Sequence, residues 1–252
     1  MINVKNVSFS YGKSTVLENI SFTLNAGELC SIIGVNGSGK TTLIRLIARA
    51  LSPESGTIEL DGKSSDSYTP KEYAKKLAWL PQTRDLPQIN AYDLIASGRY
   101  PYLPFSGKLG NNDKKAIDNA IRMTKTELLI NKDIRQLSGG ERQKVYLALL
   151  LAQDTPYVLL DEPFTHLDIG TGLDVRELIC DIKKSGRGVL SVCHDLAAAL
   201  KDSDKLLLLD GGCVRFYGTP QEILETSCFE NVFGVSCTEI KSGKEIEYIF
   251  KK

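Results

Sequence analysis

The chain has 252 residues, 42% of them hydrophobic and 25% charged, enough apolar material for one large domain or a domain with a subdomain without covalent staples. Lysine plus arginine and aspartate plus glutamate number 31 each, so no global field draws the chain to nucleic acid or an acidic membrane surface, and any such partner must meet a local patch. The cysteines at 30, 180, 193, 213, 228 and 237 form no Cys-x-x-Cys pair and no metal-ligand spacing with either histidine, and they read as ordinary buried thiols. The opening MINVKNVSFSYG shows no basic-then-apolar leader, and no apolar run nears the ~20 residues that span a bilayer, so a reducing, cytoplasmic setting is expected.

Residues 1 to about 82 read mostly as strands: INVKNVSFSYG and VLENISFTL alternate, LCSIIG is an unbroken apolar run, and GTIELDG ends in a turn pair. From about 83 to 136 the texture is helical. AYDLIASGRYPYLP predicts a short helix stopped by Gly98 and Pro101, and NDKKAIDNAIRMTKTELLI places apolar residues at helical spacing. A helix from 138 to about 153 follows, then the buried strand YVLLDE, a helix near 171 to 184, the strand GVLSVCH, and DKLLLLDGG with CVRFYG. Strands alternating with helices imply an α/β fold with a mostly parallel sheet covered on both faces. The stretch PQEILETSCFENVFGV predicts a helix with a short tail.

GVNGSGKTT fits the phosphate-loop pattern, and it sits between an apolar strand and the helix KTTLIRLIARAL, the context that pattern needs. Gly34, Asn36, Gly37, Ser38, Gly39 and Thr42 would bring backbone N–H groups together around phosphates. Lys40 would reach the β and γ phosphates of a nucleotide, and the Thr41 hydroxyl would hold Mg²⁺. YVLLDEP ends a buried strand in two acids, where open α/β sheets bind ligands. Asp161 would serve the metal, and Glu162 would either take a proton from the attacking water or only orient it. His194 also closes a strand and could hydrogen-bond a γ phosphate, although a lone histidine is more often structural. Gln82 could contact Mg²⁺ or water through its amide oxygen, or be a surface glutamine. Tyr11 could stack on adenine or pack on its own strand.

LSGGERQ adds a second helix start. Ser138 and Glu141 fit a capping box, which leaves Gly139 and Gly140 unexplained, since each costs about 1 kcal/mol against alanine inside a helix. Close approach of a ligand to the backbone would account for them, with Ser138 and the positive helix end turned to a phosphate.

Taken together, GVNGSGKTT, PQ at 81–82, LSGGERQ, YVLLDEP, HLD at 166–168 and CHD at 193–195 stand in the order and spacing of ATP-binding-cassette (ABC) ATPase domains, and the chain resembles that family over nearly its whole length. The resemblance implies a phosphate-loop NTPase cassette with a mostly parallel core sheet and an N-terminal antiparallel β-subdomain. In this plan the single domain has a catalytic core over 1–82 and 154–252 and a helical subdomain over 83–153. It implies Mg²⁺-dependent ATP hydrolysis by a homodimer paired head to tail, in which LSGGE of one chain closes on the γ phosphate held by the other. Carried over, Tyr11 is the adenine-stacking aromatic, Gln82 the lid glutamine, Asp168 the dimer-interface acid and His194 the switch histidine. Val35 stands where many relatives have proline, and Phe164 and Thr165 replace smaller residues. SGRYPYLPFSGKL (97–109) and ENVFGV are similar to segments of iron-chelate, haem and cobalamin importer cassettes. That implies an integral-membrane permease seated near residues 82–105, a periplasmic or lipoprotein substrate-binding protein, a peripheral place on the cytoplasmic face of the inner membrane, and no nucleic acid. A soluble ABC ATPase of iron–sulfur cluster assembly is the alternative.

Overall fold

The computed structural model describes residues 1–84, 86–104, 107–165, 167–242 and 245–252. The first strands are β1 (Ile2–Tyr11), β2 (Ser14–Leu24) and β3 (Leu29–Gly34), followed by helix α1 (Lys40–Ile47), strands β4 (Ser55–Leu60) and β5 (Lys63–Ser64), helix α2 (Pro70–Ala74) and strand β6 (Leu77–Leu80). Then come helices α3 (Ala91–Ser97), α4 (Asn111–Thr124) and α5 (Gly139–Ala152), strand β7 (Tyr157–Leu160), helix α6 (Ile169–Lys184), strand β8 (Gly188–Val192) and helix α7 (Leu196–Asp202). Strands β9 (Lys205–Asp210) and β10 (Cys213–Gly218), helices α8 (Pro220–Leu224) and α9 (Cys228–Phe233), and strands β11 (Ser236–Ser242) and β12 (Glu245–Lys251) complete the order. Two compact units result: Met1–Ser65 with Gly188–Lys252, and Asp66–Arg187.

In the first unit β1 carries the antiparallel sheet β2-β1-β4-β5, its alternation placing Ile2, Val4, Val7 and Phe9 inside. A second layer runs β9-β3-β8 in parallel, with β10 antiparallel on β9. Every residue of β3 and β8 is buried, so LCSIIG and GVLSV are unbroken apolar runs where a half-exposed strand would alternate. The C-terminal part differs from the expected helix and tail. Thr219 caps α8 through a Glu222 capping box, Gly234 ends α9 in the left-handed region, and β11 and β12 then pair as a hairpin. The period-two pattern of EIEYIFK explains the hairpin: Cys237, Tyr248 and Phe250 face the cluster of Ile33, Leu206, Leu208, Ile223 and Phe229, with the Phe229 and Phe250 rings 5.3 Å apart edge to face.

In the second unit β6 and β7 are parallel neighbours, and the Asp161 N–H extends their ladder to the Leu80 carbonyl. Helix α5 is apolar nearly all round and packs on α3, α4 and β6. Helix α4 ends earlier than the apolar spacing suggests, because Lys125 takes the left-handed region at φ 54° while the Thr124 hydroxyl donates back to the Ala120 carbonyl. The segment after α3 is tied to two later helices. Arg99 is 5% exposed; it donates through Nε to Asp113 and through Nη1 to the Ala152 carbonyl, and its guanidinium lies 3.8 Å from the Tyr102 ring centroid, joining α3, α4 and α5. Burial pushes the Asp113 carboxyl up, but the Gly110 N–H and Arg99 outweigh it and hold it below the ordinary carboxylate value. Phe105 and Ser106 of this segment lie outside the described residues. Among the described residues no helix is long and apolar enough to cross a membrane. Only Cys30 and Cys193 are buried; Cys180, Cys213, Cys228 and Cys237 are half-exposed, a correction to the reading of all six as buried thiols, and all are unbridged.

Candidate functional site

In the first unit the loop after β3 forms a phosphate cradle. Gly39 precedes α1 at φ 99°, with no side-chain cap on the helix, so its start is open to an anion. A Cβ at Gly39 would lie 2.5 Å from Leu17 Cδ2, so both the backbone angle and the packing require glycine there. Lys40 is 6% exposed and donates to the carbonyls of Gly34 at 2.8 Å and Val35 at 2.9 Å, across the mouth of the loop. The Ser38 hydroxyl is buried with no hydrogen-bond partner among the described residues. An uncapped helix start, a buried ammonium and an orphaned hydroxyl fit a polyphosphate. Asn36 and Gly37 are exposed, Thr41 is half-buried and Thr42 is buried in the same turn. Tyr11 ends β1 at 48% exposure, its ring edge-on to Phe9 at 4.9 Å, which leaves a face open to a flat ligand. His194 is exposed just past β8. Cys193 before it is pinned by its N–H to the Ile32 carbonyl, and Asp195 after it caps α7.

The second unit gathers the acids. Asp161 is 2% exposed at the end of β7, and Glu162 follows at φ 53°, a left-handed conformation that strains a non-glycine residue by about 1–3 kcal/mol. One Glu162 oxygen, Oε2, accepts from Gln82 Nε2 at 2.7 Å and from the Thr165 hydroxyl at 3.1 Å. Ser138 and Glu141 make the expected capping box: the Glu141 N–H donates to Ser138 Oγ at 3.2 Å, and the Ser138 N–H donates to Glu141 Oε2 at 2.9 Å. Gly140 has an intrachain reason for being glycine, because a Cβ there would lie 2.6 Å from Thr171 Cγ2. Thr171 in turn donates its hydroxyl to Asp168 Oδ2 at 2.7 Å and its N–H to Oδ1, so Asp168 caps α6. The Thr171 N–H and hydroxyl hold the Asp168 carboxyl below its ordinary value. A cavity of about 480 Å³ is lined by Gln82, Arg84, Gly139, Arg142, Gln143 and Glu162. His166 lies outside the described residues.

Residues 17–165 match the ABC transporter family, more than half of the chain. The chain belongs to that family. It is 38% identical over 254 aligned residues to the petrobactin import ATP-binding protein FpuC of Bacillus anthracis, covering 100% of this chain and 93% of that one. It is 35% identical to the ferric enterobactin transport ATP-binding protein FepC of Escherichia coli over 92% of this chain and 87% of that one. A solved ATP-binding cassette, dimeric in a post-hydrolysis state with ADP and Pi, superposes with a TM-score of 0.75 at 25% identity, covering 87% of this chain and 99% of that one. The protein is therefore an ABC-type ATPase, built as an α/β cassette with an antiparallel N-terminal sheet, and it binds ATP.

In this cassette Gln143, the last residue of LSGGERQ, and Arg84 tie the motifs together. Gln143, 6% exposed on the first turn of α5, donates through Nε2 to the Pro163 carbonyl at 2.7 Å and accepts from Arg84 Nη2 at 2.8 Å. Arg84 lies over the Tyr146 ring at 4.6 Å, and burial holds its guanidinium below its ordinary value. The signal for Gln143 was available in part: a buried amide on the apolar helix α5 must find partners.

Proposed function

We propose that this chain is the ATP-hydrolysing subunit of an importer that takes up an iron chelate of the siderophore class through a separate membrane permease. The observation that carries the cargo class is the 38% identity, along the whole chain, to a petrobactin import ATP-binding protein. ABC cassettes dimerise, and import systems of this family pair with membrane permeases. In this reading two copies pair head to tail, each nucleotide held by the Gly34–Thr42 loop of one chain and by Ser138, Gly139 and Gly140 of the other, with Asp168 at the junction.

Magnesium-bound ATP supplies the transferable phosphoryl group and a cation to neutralise its charge. Lys40 exchanges the Gly34 and Val35 carbonyls for β and γ phosphate oxygens. Thr41 would serve the metal, as would Asp161 and the Gln82 amide, and Tyr11 would offer its ring to the base. Glu162 polarises the attacking water beside the Oε2 that Gln82 engages, and His194 reads the γ phosphate. The permease sits on the segment from Gln82 into the helical part of residues 83–153. The complex lies peripherally on the cytoplasmic face of the inner membrane, served by a periplasmic or lipoprotein substrate-binding protein.

The test is to recover tagged chain from native membranes, identify the co-purifying permease, and assay ATP turnover with and without ferric siderophore and the binding protein. Stimulation by the chelate supports the reading. Recovery only from cytosol, on an iron–sulfur scaffold, would replace it with the assembly alternative.

A further inference from the structure

The geometry points to Gln143 as a positioning residue for hydrolysis: its amide clamps the strained Glu162 turn from the first turn of α5, and Arg84 sets that amide from the segment that follows Gln82. This rests on the reading of Glu162 as the residue that polarises water.

The chain of contacts is continuous. Arg84 Nη2 donates to Gln143 Oε1 at 2.8 Å, and Gln143 Nε2 donates to the carbonyl of Pro163 at 2.7 Å. Pro163 is the residue after Glu162, and Glu162 sits in the left-handed region, where a non-glycine residue persists only if its surroundings fix it. The bonded carbonyl is that of Pro163, one residue beyond Glu162, so the bond fixes the backbone on the C-terminal side of the strained residue. Gln143 makes that bond from inside the protein, at 6% exposure, so water competes poorly for it. The second amide atom is committed to Arg84. Arg84 is itself seated over the Tyr146 ring, 4.6 Å from its centroid, and the amide cannot turn over without losing both bonds. A displacement of the segment after Gln82 therefore reaches the Glu162 turn through one side chain. This gives the docking segment a mechanical route to the acid that is separate from the direct Gln82–Glu162 bond.

The experiment uses the purified full chain and reads kcat, KM for ATP and the urea midpoint. Gln143→Glu keeps an acceptor for Arg84 while removing the donor to Pro163; Gln143→Met removes both; Arg84→Gln tests the outer link. Misplacing a reacting group by about 1 Å lowers turnover on the order of 100-fold. We therefore expect Gln143→Glu and Gln143→Met to lower kcat by about 10- to 100-fold with KM within about twofold, and Arg84→Gln to fall between them and the wild type. In a Glu162→Gln background the same Gln143 changes should cost nothing further, because the group they position is gone. Wild-type kcat in Gln143→Glu, or an equal fractional loss in the Glu162→Gln background, overturns the inference. Near-normal turnover in Glu162→Gln alone overturns the reading of Glu162, and this inference with it.

Discussion

The side-chain amide of Gln82 donates to Glu162 Oε2 at 2.7 Å, and the Thr165 hydroxyl reaches the same oxygen at 3.1 Å. In the proposed mechanism that oxygen is freed for a water proton when Gln82 is drawn away. Glu162→Gln leaves the fold intact and removes the acceptor charge. Turnover should fall by about 100- to 10,000-fold while ATP binding persists, and an ATP-bound pair should accumulate on size exclusion with light scattering. Near-normal hydrolysis would remove Glu162 from its role.

Ser138 caps α5 and, in the proposed mechanism, meets a phosphate. The two roles separate by substitution. Ser138→Ala should cost about 1 kcal/mol in chemical denaturation through the lost cap. Ser138→Asp keeps a capping acceptor, so the midpoint should be retained, while its negative charge should depress ATP turnover on the order of 10-fold or more. If Ser138→Asp turns over normally, the phosphate role is wrong.

Gly140 and Thr171 form a steric pair. Gly140→Ala places a methyl 2.6 Å from Thr171 Cγ2 and should cost about 1–3 kcal/mol of stability. Adding Thr171→Ser removes that methyl and keeps the hydroxyl that bonds Asp168, so part of the loss should return. Additive losses in urea denaturation would show that the crowding lies elsewhere.

The buried Arg99–Asp113 pair, at 2.9 Å, should be the most sensitive stability point in the helical region. Asp113→Ala leaves a buried guanidinium without its carboxylate and should cost about 3–5 kcal/mol, read as a lowered midpoint at unchanged denaturant slope. A change under 1 kcal/mol on the same measurement contradicts this.

Acid sensitivity follows from the caps. Asp168 accepts the Thr171 N–H of α6 and Glu141 the N–H of the cap residue Ser138, and these bonds hold their folded pKa values below the ordinary ones. The sign is that of a depressed carboxylate: the stabilisation is present above the unfolded value of about 4 and is lost as pH falls through the lower folded value. Asp168→Asn keeps an acceptor but no titrating group, so its stability should fall less steeply than wild type below about pH 4. Equal slopes would show that Asp168 does not contribute.

The motifs were legible because their chemistry is local in the chain. A phosphate cradle needs consecutive residues at a strand-to-helix turn, and Gly34 to Thr42 supply them within nine positions. The same holds for the Ser138–Glu141 box and for the buried runs of β3, β7 and β8. Other features depend on partners far apart in sequence. Nothing near Gly140 announces Thr171, and Gln143 gains its meaning from Pro163, 20 positions on, and from Arg84, 59 positions back. Arg99 carries no local signal because its acceptors, Asp113 and the Ala152 carbonyl, come from two later helices. The hairpin β11–β12 was missed for another reason. Its period-two signal in EIEYIFK marks one short strand, and the partner SCTEIKS alternates too weakly to announce the pairing.

The most direct test of the head-to-tail account mixes two inactive chains, Lys40→Ala and Ser138→Arg. Each pure mutant should be dead, since every site in it lacks one half. An equal mixture gives about half heterodimers with one intact site of two, so roughly a quarter of wild-type turnover should return. Full activity in either pure mutant, or in monomer too dilute to pair, would contradict a nucleotide shared between two chains.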